Sequence, residues 1–151
     1  MSLADASLKE VVADLKRWTQ LLRYDTLRMV SMANSGHPGG CMSMAEILAC
    51  LYFRVMRLDS AEPDWPDRDR FILSKGHCAP ILYAALARKG FFPVEHLKTL
   101  RRIGSDLHGH PDISTPGVDM TSGCLGQGIS AAVGMALAGR YDRRDYRRGR
   151  Y

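Results

Sequence analysis

Four segments punctuate this chain: SGHPGG (Ser35 to Gly40), SKGH (Ser74 to His77), LHGHPD (Leu107 to Asp112) and TSGCLGQG (Thr121 to Gly128). They constrain the fold most, because glycine and proline placed between periodic apolar stretches force an element to stop and another to start. Three of them carry histidine, so each break also exposes a polar, titratable group.

The stretches between the breaks have readable periods. Ser7 and Glu10 form an S-x-x-E capping box, and Leu8, Val11, Leu15, Trp18, Leu22 and Val30 follow at helical spacing. One long helix, or two end to end, is expected as far as Asn34, where Asn34, Ser35 and Gly36 end it. A loop from Gly36 to Met42 follows. A second box, Ser43 to Glu46, is expected to start a helix through Leu48, Leu51, Tyr52 and Val55, ahead of the acidic, proline-bearing loop Asp59 to Asp69. Arg70 to Leu73 reads as a short strand, and Ile81 to Lys89 as a helix stopped by Gly90. Pro93 sits where a first-turn proline belongs, opening a helix to about Arg102.

A long loop, Gly104 to Ser122, then holds His108, His110, Pro111 and Pro116; such loops in compact domains are usually functional or disordered. The last helix, about Leu125 to Arg140, is rich in glycine and alanine, as expected where a helix packs closely on neighbouring backbone. The mixture predicts an α/β domain, a mostly parallel sheet flanked by helices, with the glycine-bearing loops gathered at one edge.

Composition excludes several classes. With 46% apolar and 25% charged residues over 151 positions, the chain is an ordinary globular domain rather than a disordered one. Cys41, Cys50, Cys78 and Cys124 occur singly, without a C-x-x-C pair, and are read as reduced cytoplasmic thiols. No leader pattern opens the sequence and no apolar run approaches the ~18 residues of a membrane span, so no membrane association is expected. The net charge of +5 is concentrated at one end: residues 140–151 hold six Arg against two Asp, leaving 15 Lys and Arg against 14 Asp and Glu elsewhere. A basic face interleaved with aromatic residues is missing, so nucleic acid is not an expected partner.

Singly, the four loops are weak signals, since a lone histidine is more often a surface or satisfied core residue. Together they sharpen. SKGH lies between a strand and a helix start, where free backbone N–H groups and the helix dipole favour phosphate, with Lys75 and His77 beside them. Gly123, Gly126 and Gly128 let a flat ring or a diphosphate approach the backbone. His96 is expected to be a solvated side chain, and Trp18, Met29, Met42 and Met44 to be core; His37 has the plainer alternative of capping the long helix.

In their order and spacing, SGHPGG, DRFILSKGH, LHGHPD and SGCLGQG resemble the start of transketolases, over about residues 18 to 146. The resemblance implies a diphosphate-binding domain for thiamine diphosphate, and a transferase of carbohydrate metabolism in the pentose phosphate pathway. A pyrimidine-binding domain or subunit from another chain completes such a site, in an oligomer. By position, His77 resembles a residue at the cofactor diphosphate, and Gly123, Leu125 and Gly126 resemble residues that hold the cofactor. His37 and His110 resemble the catalytic pair at the sugar phosphate substrate, with His108 nearby. The cofactor acts as the electron sink while a two-carbon ketol unit passes from a ketose to an aldose.

Two departures stand out. Cys124 occupies a position where the family commonly has proline. Beyond Tyr146 the family continues as an apolar strand into a G-D-G loop whose Asp, with a later Asn, holds Mg2+ on the diphosphate; here the sequence reads Arg147-Arg148-Gly149-Arg150-Tyr151. The expectation is therefore that residues 1–146 form the N-terminal part of the diphosphate-binding domain and 147–151 an Arg-rich departure from it. On this view the chain is truncated, has no metal ligands of its own and is inactive alone. A deoxyxylulose-phosphate synthase and a non-catalytic fragment are the competing expectations.

Overall fold

The computed structural model describes residues 7–142, so the Arg-rich segment 147–151 lies outside the described residues. Helix α1 (Leu8–Ala33) is a single helix begun by the expected capping box: the Glu10 N–H donates to Ser7 Oγ and the Ser7 N–H to Glu10 Oε2, at 3.3 and 2.7 Å. Asn34 ends it in the left-handed conformation, its N–H turned back on the carbonyls of Ser31 and Val30. Where a plain loop was expected, Pro38 opens a short helix, α2 (Pro38–Met42), its fixed φ suiting a first helical turn.

The second capping box does not form. Helix α3 (Ala45–Cys50) starts at Met44 without a side-chain cap, because Ser43 Oγ is committed elsewhere: it donates to Gly40 O and accepts from Lys75 Nζ. The helix widens into a π-helical turn, Leu51–Val55, closed by the Met56 N–H on Leu51 O. Phe53 there stacks on Trp18 of α1, ring centroids 4.0 Å apart.

Helix α4 (Ala79–Lys89) is the centre of the core. Every residue from Ala79 to Ala87 is buried, as a helix apolar all round must be, and its alanines let α1 and α3 lie close. Asp25 of α1, buried, accepts two hydrogen bonds from the Arg88 guanidinium at 2.7 and 3.1 Å, fixing α1 on α4. Met29 and Met44 are buried in this core, with Trp18 and Met42 packed against it.

The helix expected from Pro93 to Arg102 is a shorter 3-10 turn, Val94–Thr99; Arg101 at φ 58 cannot continue a right-handed helix. His96 is only partly solvated, its side chain 34% exposed: its Nε2 lies 2.5 Å from Asp106 Oδ1 and its ring edges onto Phe92. Helix α5 (Gln127–Tyr141) leans on the body at Gly128, where an added Cβ would lie 2.6 Å from Ser74 Cα. The close packing expected along its other small residues is not made at Gly134, where a Cβ would meet nothing within 4 Å, and Ile129, Val133 and Leu137 are exposed.

The expected parallel sheet is not present among the described residues. A strand needs a neighbour to take its N–H and C=O groups. Residues 71–73 form neither helix nor strand, and side chains serve their backbone instead: the Phe71 N–H donates to Asp119 Oδ2 at 2.8 Å, and Leu73 O accepts from Ser122 Oγ at 2.8 Å. Asp119 Oδ1 also meets the guanidinium groups of Arg68 and Arg70 at 2.6 and 3.1 Å, with the Asp119 and Arg68 side chains 2% and 5% exposed.

Asp119→Ala leaves the Arg68 charge buried without its carboxylate and is expected to destabilise the chain by ~3–5 kcal/mol in urea unfolding. Asp14→Ala, at the exposed Arg17 pair, is expected to cost far less. Equal effects would mean that Asp119 is not the fastening of residues 71–73.

Candidate functional site

Ser122 brings the punctuating loops together. Buried at 4% exposure, it donates its N–H to Pro111 O at 3.1 Å and its hydroxyl to Leu73 O, joining the GHPD loop and the SKGH segment to its own. The approach to SKGH is closed by a glycine: an added Cβ at Gly76 would sit 2.8 Å from Ser122 O. Thr121 adds a second stitch, donating its hydroxyl to Asp112 Oδ2 at 3.1 Å and accepting the Ile113 N–H. From the core side, the hydroxyl of buried Tyr83 donates to His110 O at 2.9 Å.

The SGHPGG loop is fixed to the same edge. Lys75 Nζ donates to Gly40 O and Ser43 Oγ, at 2.6 and 3.1 Å, so this amine holds the loop rather than standing free. The open backbone expected at the start of α4 is not found. Ala79, Pro80 and Ile81 are buried, Pro80 has no N–H to offer, and Gly76–Cys78 enters the helix as a 3-10 turn. Cys41 and Cys78 meet beneath, with Cys41 Sγ 3.7 Å from Cys78 O and burial pushing the Cys41 thiol up to about 12. All four cysteines are free thiols.

Three of the singled-out histidines converge. The rings of His37 and His77 meet edge to face with centroids 5.2 Å apart. His110 titrates below the usual histidine range, first through desolvation and then through the charges of Arg101, His37 and His77. His108 and His110 line an open cleft of about 590 Å³ with Arg101, Arg102, Ser105 and Gly109.

Gly123, Leu125 and Gly126 follow Ser122 at the start of α5. At Gly123 and Gly126 an added side chain would meet nothing within 4 Å, Leu125 is 72% exposed, and Gly126, at φ 89, starts α5, where the Gln127 N–H donates to Cys124 O at 3.3 Å and the Ile129 N–H to Ser74 Oγ at 3.2 Å. Open backbone at Gly123 and Gly126, an exposed apolar side chain and a histidine cluster fit a cofactor with a flat ring and a diphosphate. Among the described residues no group of three or more His, Cys, Asp or Glu is placed to hold a metal ion.

Three residues of this site escape sequence reasoning. Ser122 and Asp119 were part of an unstructured loop, and Arg101 the end of a helix; nothing local marks the partners of their side-chain hydrogen bonds, which lie 48 to 66 residues away.

Gly76→Ala drives a Cβ into Ser122 backbone and is expected to lower stability by ~1–3 kcal/mol in urea unfolding. Gly134→Ala, in open helix, is expected to raise it by ~0.5–1 kcal/mol. A neutral Gly76→Ala would mean that the two loops are not pressed together.

Comparison with known proteins returns a consistent answer. The family model described as transketolase, thiamine diphosphate binding domain, matches residues 15–150. The 6-deoxy-6-sulfo-D-fructose transketolase subunit SqwG of Clostridium sp. (strain MSTE9) is 52% identical over 136 residues, 89% of this chain and 50% of its own length. The transketolase of Mus musculus is 48% identical over 134 residues, 88% of this chain and 22% of its own. Among solved structures, the transketolase of Campylobacter jejuni superposes with a TM-score of 0.81 at 37% identity, over 87% of this chain and 21% of that one. The chain thus spans half the length of the first relative and about a fifth of the others.

Proposed function

This chain belongs to the transketolase family, and on that premise we propose that it supplies part of the diphosphate-binding half of an enzyme moving a two-carbon ketol unit from a ketose to an aldose. The observation that carries this reading is the convergence of the SGHP, SKGH, GHPD and SGCLGQG loops on one edge, with His37, His77 and His110 gathered there. Residues 1–146 constitute the domain segment, and residues 71–73 are its candidate strand for a mostly parallel sheet.

Thiamine diphosphate, when bound, supplies the electron sink for cleavage next to a carbonyl. His77 holds the diphosphate, and the backbone at Gly123 and Gly126 with the Leu125 side chain holds the rings. The start of α5 adds the positive end of a helix dipole. Mg2+ accompanies the diphosphate, on a G-D-G loop that this sequence does not contain. His37 and His110 bind the sugar. His110, biased towards its neutral form, both donates and accepts hydrogen bonds at the sugar hydroxyl and carbonyl oxygens, where charge develops.

A subunit carrying the pyrimidine-binding domain is the expected partner, as the word subunit in the Clostridium relative's name supports. Sugar phosphates of the pentose phosphate pathway are the substrates, in a cytoplasmic oligomer.

The test is ketol transfer between sugar phosphates by this chain extended with the metal-loop segment of a split transketolase's diphosphate-binding subunit and reconstituted with the pyrimidine-binding subunit, thiamine diphosphate and Mg2+; residues 1–151 without that extension and partner are expected to give none. His110→Ala should lower kcat by ~100-fold or more with cofactor affinity nearly unchanged. His77→Ala should weaken cofactor binding by ~10- to 100-fold, the loss of one charge-assisted hydrogen bond. The opposite pattern would exchange the two assignments, and no transfer by the reconstituted parent would overturn the reading.

A further inference from the structure

We propose that Arg101 is a positioning residue, latching the loop of His37 to the loop of His110, with Gly109 as the seat on which its guanidinium lies. Its Nη1 donates to Ser35 Oγ at 2.7 Å, across 66 positions of sequence and two residues before His37. On its other side the guanidinium occupies the space over Gly109, immediately before His110: an added Cβ there would lie 2.4 Å from Nη2 and 2.6 Å from Cζ and Nε.

The backbone is shaped to deliver this side chain. Arg101 sits at φ 58, a left-handed conformation that is strained for a residue with a β-carbon, and its N–H donates to Leu107 O at 2.8 Å. The flanking segment is clamped by His96 on Asp106, and by a hydrogen bond between the Thr99 and Ser105 hydroxyls. The strained backbone delivers the guanidinium between the two loops, so placement is what the strain obtains.

The latch has an electrostatic consequence. The Arg101 charge joins desolvation, His37 and His77 in depressing the proton affinity of His110. That these histidines face substrate rests on the function proposed above; the latch itself does not, and its test needs neither cofactor nor partner.

The test is ring titration of His110 by NMR in the full chain, in two double-mutant cycles. Arg101→Met should raise the His110 midpoint. Gly109→Ala should raise it too, because the added methyl meets the free end of a flexible side chain and displaces the guanidinium rather than breaking the fold. Ser35→Ala should act in the same direction by freeing the guanidinium. Neither of these two changes should move the midpoint further when Arg101 is already Met.

Arg101→Gly, which suits the left-handed backbone, should reproduce the Arg101→Met titration at undiminished thermal stability, separating loss of the latch from misfolding. An unmoved midpoint in Arg101→Met, or equal shifts from Gly109→Ala with and without Arg101, would overturn the proposal. A failed cycle would leave the transketolase reading standing, and an inactive reconstituted enzyme would leave the cycle standing.

Discussion

Ser122 sets the geometry on which the rest of the site depends. One small residue spends its N–H on Pro111, its hydroxyl on Leu73 and its carbonyl's free face on Gly76, so segments separated by up to 49 positions are held at contact distance. Three constraints from one buried serine leave the GHPD, SKGH and SGCLGQG loops little freedom to move apart. Loops carrying polar groups need such fastening, since each arrives by a different route through the core and none has a ladder of its own.

Asp119 complements it at the other end of the same segment, residues 71–73. Its carboxylate takes the Phe71 N–H and two arginines, one of them buried, in place of a neighbouring strand. Behind both lies α4, buried on every side and tied to α1 through Asp25 and Arg88. The helical layer is thus a rigid platform, and the loops are a polar surface fixed to it by a few named hydrogen bonds. The same packing explains the chemistry of the cluster: crowding by Arg101, His37 and His77 after partial desolvation keeps His110 biased towards its neutral form.

How much of this was legible depends on the range of the interaction. The Ser7 and Glu10 box, the Asn34 stop and the Gly90 stop are local signals, and they hold. The Ser43 box has the same pattern and does not form, because Lys75 and Gly40 claim the serine from outside its own helix. Arg70 to Leu73 has strand composition, yet pairing is a property of two segments and no second one is present among the described residues. His96 had the sequence context of a solvated side chain and instead finds Asp106 and Phe92. The histidine and glycine motifs were visible because their residue types are unusual together; Ser122, Asp119 and Arg101 were not, because serine, aspartate and arginine in a loop look the same whether or not they meet a partner.

The central claim is that these converging loops receive thiamine diphosphate on the edge that carries His77, Gly123 and Gly126. Amide and histidine-ring NMR shifts of the full chain, followed while thiamine diphosphate and Mg2+ are raised into the millimolar range, test it most directly. The account predicts that His77, Gly123, Leu125 and Gly126 shift together along one saturating curve, and that pyrophosphate reproduces the His77 response without that of Leu125. Saturating shifts that map elsewhere while these loops stay unmoved would contradict it.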